Sequence, residues 1–432
     1  MRMRTARLVG AAVGATLLMT TVVPAATAAA PGAPGAEAAP SRTEALDRAA
    51  LRAGLDAIDE AGMYGVYSSV REGSQRWTGA AGEADVDTGR PMEPGMRHRV
   101  GSVSKTFTSV ALLQQVEQGR IDLDAPVADY LPDLIPGERG RTITVRMLLN
   151  HTSGIGDYIL GAFPSLAQNS TTSLEEERFR SIPPEELVRI GLKAPATEQG
   201  KFSYSNTNYV IAGLILEEVT GRDAATYITR NVIDRAGLRH TSYPRTPYIA
   251  GPHPRMYESF YGLGGPPRDY SLYNMSWAST AGSIVSTTDD LNRFYRVLLG
   301  GKLIGSSALT EMLRTVPAGG VGYGLGIYSL DLSCGRFWGH DGAVFGAGTM
   351  AMSSRDGKRQ LAYGWNLTKY QKINEEGQLE PSPIDAAING HMVEALCPGA
   401  GADARKALPG DLSGSLPGVD IAPGSRPAAV AR

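Results

Sequence analysis

Cysteine is scarce in this chain: two in 432 residues, too few for a disulfide scaffold or a Cys-rich zinc centre. A charge excess is missing too. The 42 basic and 44 acidic side chains leave a formal net charge of −2, without the basic surplus a nucleic-acid binder normally carries. Histidine is sparse, and the six residues are scattered with no His-Glu-x-x-His or similar ligand pair, which argues against a metal site. After residue 23 no run approaches the ~18 uninterrupted apolar residues of a membrane span. What is abundant is ordinary globular material, 42% hydrophobic and 20% charged, which excludes a disordered chain.

The 52 glycines and 27 prolines gather partly at the ends. Arg2, Arg4 and Arg7 precede an apolar run from Leu8 to Val23, and Ala26-Thr27-Ala28 follows. That order predicts a secretory signal peptide over 1–28, hence a secreted protein without a stable membrane anchor. Residues 29–45, rich in Ala, Pro and Gly, read as a flexible linker, and 398–432 as a disordered tail. The tail lacks a Leu-Pro-x-Thr-Gly anchor, so release is expected. Residues 46–397 remain as the folded body. In an oxidising compartment Cys334 and Cys397 are expected to pair, tying the last helix to the strand region.

Inside the body, Tyr64–Ser69 and Gln75–Ala81 alternate about a turn at 71–74 and predict a hairpin. Helices are expected over Ser102–Gln118, Thr144–Asn150, Asn208–Thr220, Asp289–Leu299 and Pro383–Leu396. Strands are expected over Leu325–Leu330, Gly335–Gly339, Gly348–Ser353 and Gln360–Trp365. Strands at both chain ends with helices between predict an α+β fold: one antiparallel sheet built from both termini, flanked by helices, with a mainly helical subregion.

Three short motifs carry chemistry. In Ser102-Val103-Ser104-Lys105, the serine and lysine share one helix face at i and i+3. A partly desolvated lysine can act as the base a serine nucleophile needs. Lys105 is the sole lysine preceded three residues earlier by serine, and it opens an apolar helix. Tyr204-Ser205-Asn206 lies in a polar, turn-prone run before a helix; Tyr204 can relay a proton, and Asn206 can bind a substrate amide, hold the lysine or simply cap the helix. His340-Asp341-Gly342-Ala343 lies between glycines at a strand edge, where a substrate can approach the backbone and a free N–H can complete an oxyanion hole.

In this order, Ser-x-x-Lys, Tyr-x-Asn and His-x-Gly resemble the serine β-lactamase and penicillin-binding-protein superfamily. The variants are those of its class C branch and, most of all, of secreted streptomycete D-alanyl-D-alanine carboxypeptidases. The surrounding text is similar too: Arg99-Val100-Gly101, Leu148-Leu149-Asn150-His151-Thr152-Ser153-Gly154, Ser276-Trp277-Ala278, and Asp331-Leu332-Ser333-Cys334-Gly335. The resemblance spans 46–397 and implies a β-lactamase/transpeptidase-like fold. It implies Ser102 as acylated nucleophile, Lys105 and Tyr204 as the proton-transfer pair, Asn206 as amide binder and His340 as the cation of the third motif. It also implies an oxyanion hole from the N–H groups of Ser102 and Ala343, with Trp277, Asp341 and Gly342 lining the cleft.

The resemblance breaks at one place. The carboxypeptidases read His-Thr-Gly-Thr and carry an arginine on the preceding strand, and these groups clamp the substrate's terminal carboxylate. Here the same places hold Asp341, Ala343 and Tyr328. An aspartate there repels a carboxylate and suits an amine. The expected activity by overall resemblance is therefore a serine D-alanyl-D-alanine carboxypeptidase acting on peptidoglycan-type peptides. The alternatives are an esterase, a D-aminopeptidase or D-amino-acid amidase, or a class C-like β-lactamase; a non-catalytic binding homologue stands further off. The implied partners are a small peptide, amide or ester, with β-lactams as acylating inhibitors. No cofactor is implied, and a monomer is expected.

Overall fold

The computed structural model describes residues 46–262, 265–374 and 378–400. The expected signal peptide and linker, and the tail beyond residue 400, lie outside them.

Nine strands form one antiparallel sheet: β1 (Gly65–Glu72), β2 (Gln75–Asp85), β3 (Arg90–Pro91), β4 (Val316–Ala318), β5 (Val321–Tyr323), β6 (Tyr328–Leu332), β7 (Gly335–Val344), β8 (Ala347–Ser354) and β9 (Arg359–Trp365). Their spatial order is β3-β2-β1-β9-β8-β7-β6-β5-β4. β1 pairs with β9 from Val66↔Trp365 to Glu72↔Arg359, so the two ends of the body meet in the middle of the sheet. The predicted hairpin is β1–β2, turning at Gly73, whose φ of +57° suits glycine.

Six helices matter for the site: α1 (Arg48–Glu60), α2 (Ser104–Glu117), α3 (Pro184–Lys193), α4 (Asn206–Thr220), α5 (Thr288–Leu299) and α6 (Pro383–Leu396). α1 and α6 cover one face of the sheet, joining Leu55, Ile58, Met392 and Leu396 to Val66, Met350, Leu361 and Tyr363. The other face packs on α5 and, through it, on α2 and α4. Burial on both faces explains why β8, Ala347-Gly348-Thr349-Met350-Ala351-Met352, carries no charged residue before Arg355.

α2 is the axis of the molecule, buried from Ser104 to Gln115. Its polar side chains therefore need internal partners. Thr106 donates to Gly326 O at 2.6 Å, Thr108 to Thr280 O at 2.8 Å, and Gln115 to the Tyr227 hydroxyl at 2.6 Å. Among the described residues no helix is long and apolar enough to cross a membrane.

Two predicted elements shift. The strand expected from Leu325 begins at Tyr328, because Gly326 sits at φ +69° and bends the chain before the ladder starts. The helix expected from Asn208 begins at Asn206, with Ser205 in the extended conformation of its N-cap. Strands β4 and β5 went unread because each spans only three residues. Cys334, in the β6–β7 turn, is bonded to Cys397 at the end of α6, with a Cα–Cα separation of 5.6 Å. The covalent tie thus fastens the last helix to the hairpin that contains His340.

Candidate active site

β7 outruns its neighbour. Its pairing with β6 ends at Tyr328↔Gly339, whereas its pairing with β8 continues to Val344↔Ala347. Residues 340–344 therefore have a ladder on one side only, and their other edge meets the start of α2.

That meeting depends on two glycines. Ser102 lies in a single tight turn, Gly101–Val103, just before α2. Gly101 has φ +51°, and a Cβ there would lie 2.7 Å from Ala343 N. A Cβ on Gly342 would lie 2.7 Å from Ser102 N. No side chain fits at either position, and the close approach brings the Ser102 and Ala343 amides to one spot. Two N–H groups so placed can share one developing oxyanion.

The side chains converge on the same spot. Lys105 is fully buried, and its Nζ donates to Ser102 Oγ at 3.0 Å, to Asn206 Oδ1 at 2.7 Å and to Ala281 O at 2.9 Å. Burial lowers its pKa from the usual 10.5 to about 7, against the opposing pull of Asp157 and Asp341. Neutral Lys105 has two N–H groups, and both find obligate acceptors in Asn206 Oδ1 and Ala281 O. Its lone pair is then left for the Ser102 hydroxyl. Tyr204 donates to Ser102 Oγ at 2.8 Å. Burial raises the Tyr204 phenol well above its ordinary range, so it stays a proton donor near neutral pH. A serine between a neutral amine and a phenol can be deprotonated on one side while a proton waits on the other.

Residues from other segments brace this group. Asp157 Oδ2 accepts from both the backbone N–H (2.7 Å) and the Nδ2 (2.8 Å) of Asn206, which turns Asn206 Oδ1 toward Lys105. Asp157 Oδ1 accepts from Ile159 N–H at 2.9 Å, fixing the carboxylate in its own loop. His151 lies behind Tyr204, with ring centroids 4.2 Å apart.

A paired antiparallel sheet, a buried Ser-x-x-Lys at a helix start and a Tyr-x-Asn facing it form one arrangement, and comparison with known proteins agrees. The profile of the Beta-lactamase family matches residues 48–378. The chain belongs to the β-lactamase family. It is similar to the crystal structure of a D-stereospecific amidohydrolase from Streptomyces sp., with 36% identity and a TM-score of 0.71 over 81% of this chain and 99% of that one. It is 30% identical to a D-aminopeptidase of Cereibacter sphaeroides over 312 residues, which are 70% of this chain and 56% of that protein. The D-amino acid amidase from Ochrobactrum anthropi SV3 shares the fold, with a TM-score of 0.68 and 23% identity over 80% of this chain and 97% of that one. The protein is thus a hydrolase of the serine β-lactamase and penicillin-binding-protein family.

Within this family frame, Ser102, Lys105, Tyr204 and Asn206 are brought together as the spacing suggests, while one expectation, for Trp277, needs correcting. Asn206 holds Lys105 through Oδ1 and gives one Nδ2 hydrogen to Asp157, which leaves the second Nδ2 hydrogen for a substrate carbonyl. Trp277 is no cleft wall. It is buried among Phe163, Tyr273 and Phe345, because the turn Met275–Trp277 points it into the aromatic core. His340 is fully buried and bonds neither Ser102 nor Tyr204. Its Nδ1 donates to Asp341 O at 2.6 Å and lies 3.4 Å from Asp341 Oδ1, and its Nε2 is hydrogen-bonded with the Tyr323 hydroxyl at 2.9 Å. Asp341 lies on the sheet face of Tyr328, since Tyr328 pairs with Gly339 two residues away.

Asp157, His151 and the Ala281 carbonyl were missed by the sequence reading. The signal for His151 was present in the quoted Leu148–Gly154 run. Nothing local distinguishes Asp157, whose role comes from a partner 49 residues away.

Proposed function

We propose that this β-lactamase-family protein is a D-amino-acid amidase or aminopeptidase: it cleaves the amide of a substrate bearing a free α-amine, through an acyl-enzyme at Ser102. One observation carries the reading. Asp341 is 7% exposed, and its enclosed Oδ1 makes no hydrogen bond, with His340 Nδ1 lying 3.4 Å away. The Tyr328 hydroxyl on the same face likewise makes no hydrogen bond. A buried carboxylate oxygen without a hydrogen bond is costly, and a substrate ammonium, with three donors, satisfies both groups. The position is apt, because Ala343 N–H, the oxyanion donor, is two residues along the strand, and in an amino-acid amide the amine is one carbon from the carbonyl. The likeness to an amidohydrolase at 36% identity and a D-aminopeptidase at 30% supports the same substrate class. A D-alanyl-D-alanine carboxylate, by contrast, meets an aspartate where the carboxypeptidases hold hydroxyls and an arginine.

In this mechanism neutral Lys105 takes the proton of Ser102 as Oγ bonds to the carbonyl carbon. The N–H groups of Ser102 and Ala343 receive the oxyanion. As the C–N bond breaks, Tyr204 gives its proton to the leaving amine, and the proton held by Lys105 replaces it. Water then cleaves the ester by the reverse use of the same groups. His340 stays a positioning residue, holding the Asp341 carbonyl. The reading includes export, for which the expected leader in 1–28 and the Cys334–Cys397 disulfide speak. Acylation of Ser102 by β-lactams belongs to it too.

A substrate panel tests the reading: a D-amino-acid amide, its N-acetyl derivative, a diacetyl-Lys-D-Ala-D-Ala peptide and a nitrophenyl ester. The free-amine amide should be the best amide substrate, and N-acetylation should abolish its turnover. Asp341→Asn should lower kcat/KM for that amide by roughly thirtyfold, about 2 kcal/mol, and spare the uncharged ester. Preferential release of D-alanine from the diacetylated peptide would sink the amidase reading in favour of the carboxypeptidase.

A further inference from the structure

We propose that His151 is a positioning residue for Tyr204, holding its phenol on Ser102 by gripping the chain on both sides of it. The inference rests on the acyl-enzyme reading above. The backbone carbonyl of His151 accepts from Ser203 N–H at 2.8 Å. Its Nδ1 accepts from Ser205 N–H at 3.2 Å. Between these two grips the imidazole lies against the Tyr204 ring, 4.2 Å between centroids and tilted 38°. One residue thus contacts three in succession, 203, 204 and 205, and braces Tyr204 from the side opposite its bond to Ser102 Oγ.

Several features indicate that the site is built for this task. His151 has φ +59°, a left-handed conformation that few residues other than glycine adopt, and it is entirely buried. An N–H donor at Nδ1 places the ring's own proton on Nε2. Asn208 Nδ2, 3.2 Å from Nδ1, supports the same tautomer. Nε2 has no hydrogen-bond partner, so the ring accepts an unsatisfied donor in order to keep Nδ1 on the Tyr204 loop. Burial, with Lys105 and His340 nearby, holds the imidazole pKa well below its usual value, so the ring remains the neutral acceptor that Ser205 requires. Tyr209 and Tyr323 close its remaining sides at 5.3 and 5.0 Å. The ring touches neither Ser102 nor Lys105 by hydrogen bond, so it acts through Tyr204.

The experiment is a double-mutant cycle on the full chain, read as the rate of acylation by a fluorescent penicillin and by a nitrophenyl ester. His151→Phe keeps a ring but loses the acceptor. It should slow acylation at least about tenfold while the concentration for half-maximal rate moves less than about threefold. His151→Asn keeps an acceptor near Nδ1 and tolerates the left-handed backbone, and it should restore most of the lost rate. In a Tyr204→Phe background both substitutions should cost less than about twofold more, because the group they position is gone. Full-size losses in that background, or wild-type rates in His151→Phe, would overturn the proposal. If His151→Phe fails to fold, His151→Gly, which suits the left-handed backbone and also lacks the acceptor, takes its place in the cycle and carries the same decision. A wild-type protein that neither reagent acylates at all defeats the acyl-enzyme reading itself and this proposal with it, an outcome distinct from a cycle that is merely additive.

Discussion

The catalytic cluster on the helical wall and the Asp341–Tyr328 pair on the strand wall treat their polar atoms in opposite ways. On the helical wall, Ser102, Lys105, Tyr204, Asn206 and Asp157 form a connected network in which each has partners at 2.7 to 3.0 Å. On the strand wall, Asp341 Oδ1 and the Tyr328 hydroxyl are buried without a hydrogen bond, and His340 Nδ1 lies 3.4 Å from the carboxylate. A satisfied network is complete without substrate and suits general acyl-transfer chemistry. Unsatisfied buried groups have a cost that a ligand can relieve, so they mark where specificity is decided. The helical wall therefore says what kind of bond is broken, and the strand wall says whose.

The comparison can be broken most severely at its centre. Ser102→Ala should remove acylation and lower turnover by at least about a thousandfold for every substrate, amide or ester, as judged by intact mass and steady-state rates. An amide-only defect would contradict the division between the walls. Next in size is Asp157→Ala, which frees the Asn206 amide and lets Lys105 shift. A displacement near 1 Å at a reacting group costs on the order of a hundredfold, so kcat should fall by about that much for amine-bearing amide and uncharged ester alike. The smallest effect is one of pH. Lys105 titrates at about 7, down from 10.5. Above that value it is the neutral base and below it is charged, so kcat/KM should level off above about pH 7 and fall roughly tenfold per unit below it. An acidic limb that moved with substrate charge would place the titrating group on the strand wall instead.

Much of the helical wall was legible from local order. Ser102 and Lys105 are three apart, and helix periodicity alone makes them neighbours. Gly342 is readable as a close-approach position, although only the tertiary structure shows that Gly101 and Ser102 are what it approaches. Tyr204 was identified as a proton carrier, yet its choice of partner needed coordinates. Asn206 is legible as a residue that can hold the lysine or bind a substrate amide, and it does hold Lys105, but Asp157, which orients it, is far away in the chain. Trp277 was misassigned because an aromatic beside a motif looks like a cleft wall until the direction of its turn is known. His340 keeps its place on the strand, while its bond to Tyr323 from another strand could be read only from the fold.

By itself, the sequence determined what depends on nearest neighbours: the helix-start serine and lysine, the glycines that admit a backbone, the pair of cysteines, and the substitutions that replace a carboxylate clamp with Asp341, Ala343 and Tyr328. Only the tertiary structure decided the protonation states and the vacancies. The pKa of Lys105 is set by burial under α4 and the 277–283 segment, and the high pKa of Tyr204 by enclosure among rings from three segments. Desolvation and partnership depend on distance through space, and Lys105 and Ala281, joined here, lie 176 positions apart in the chain.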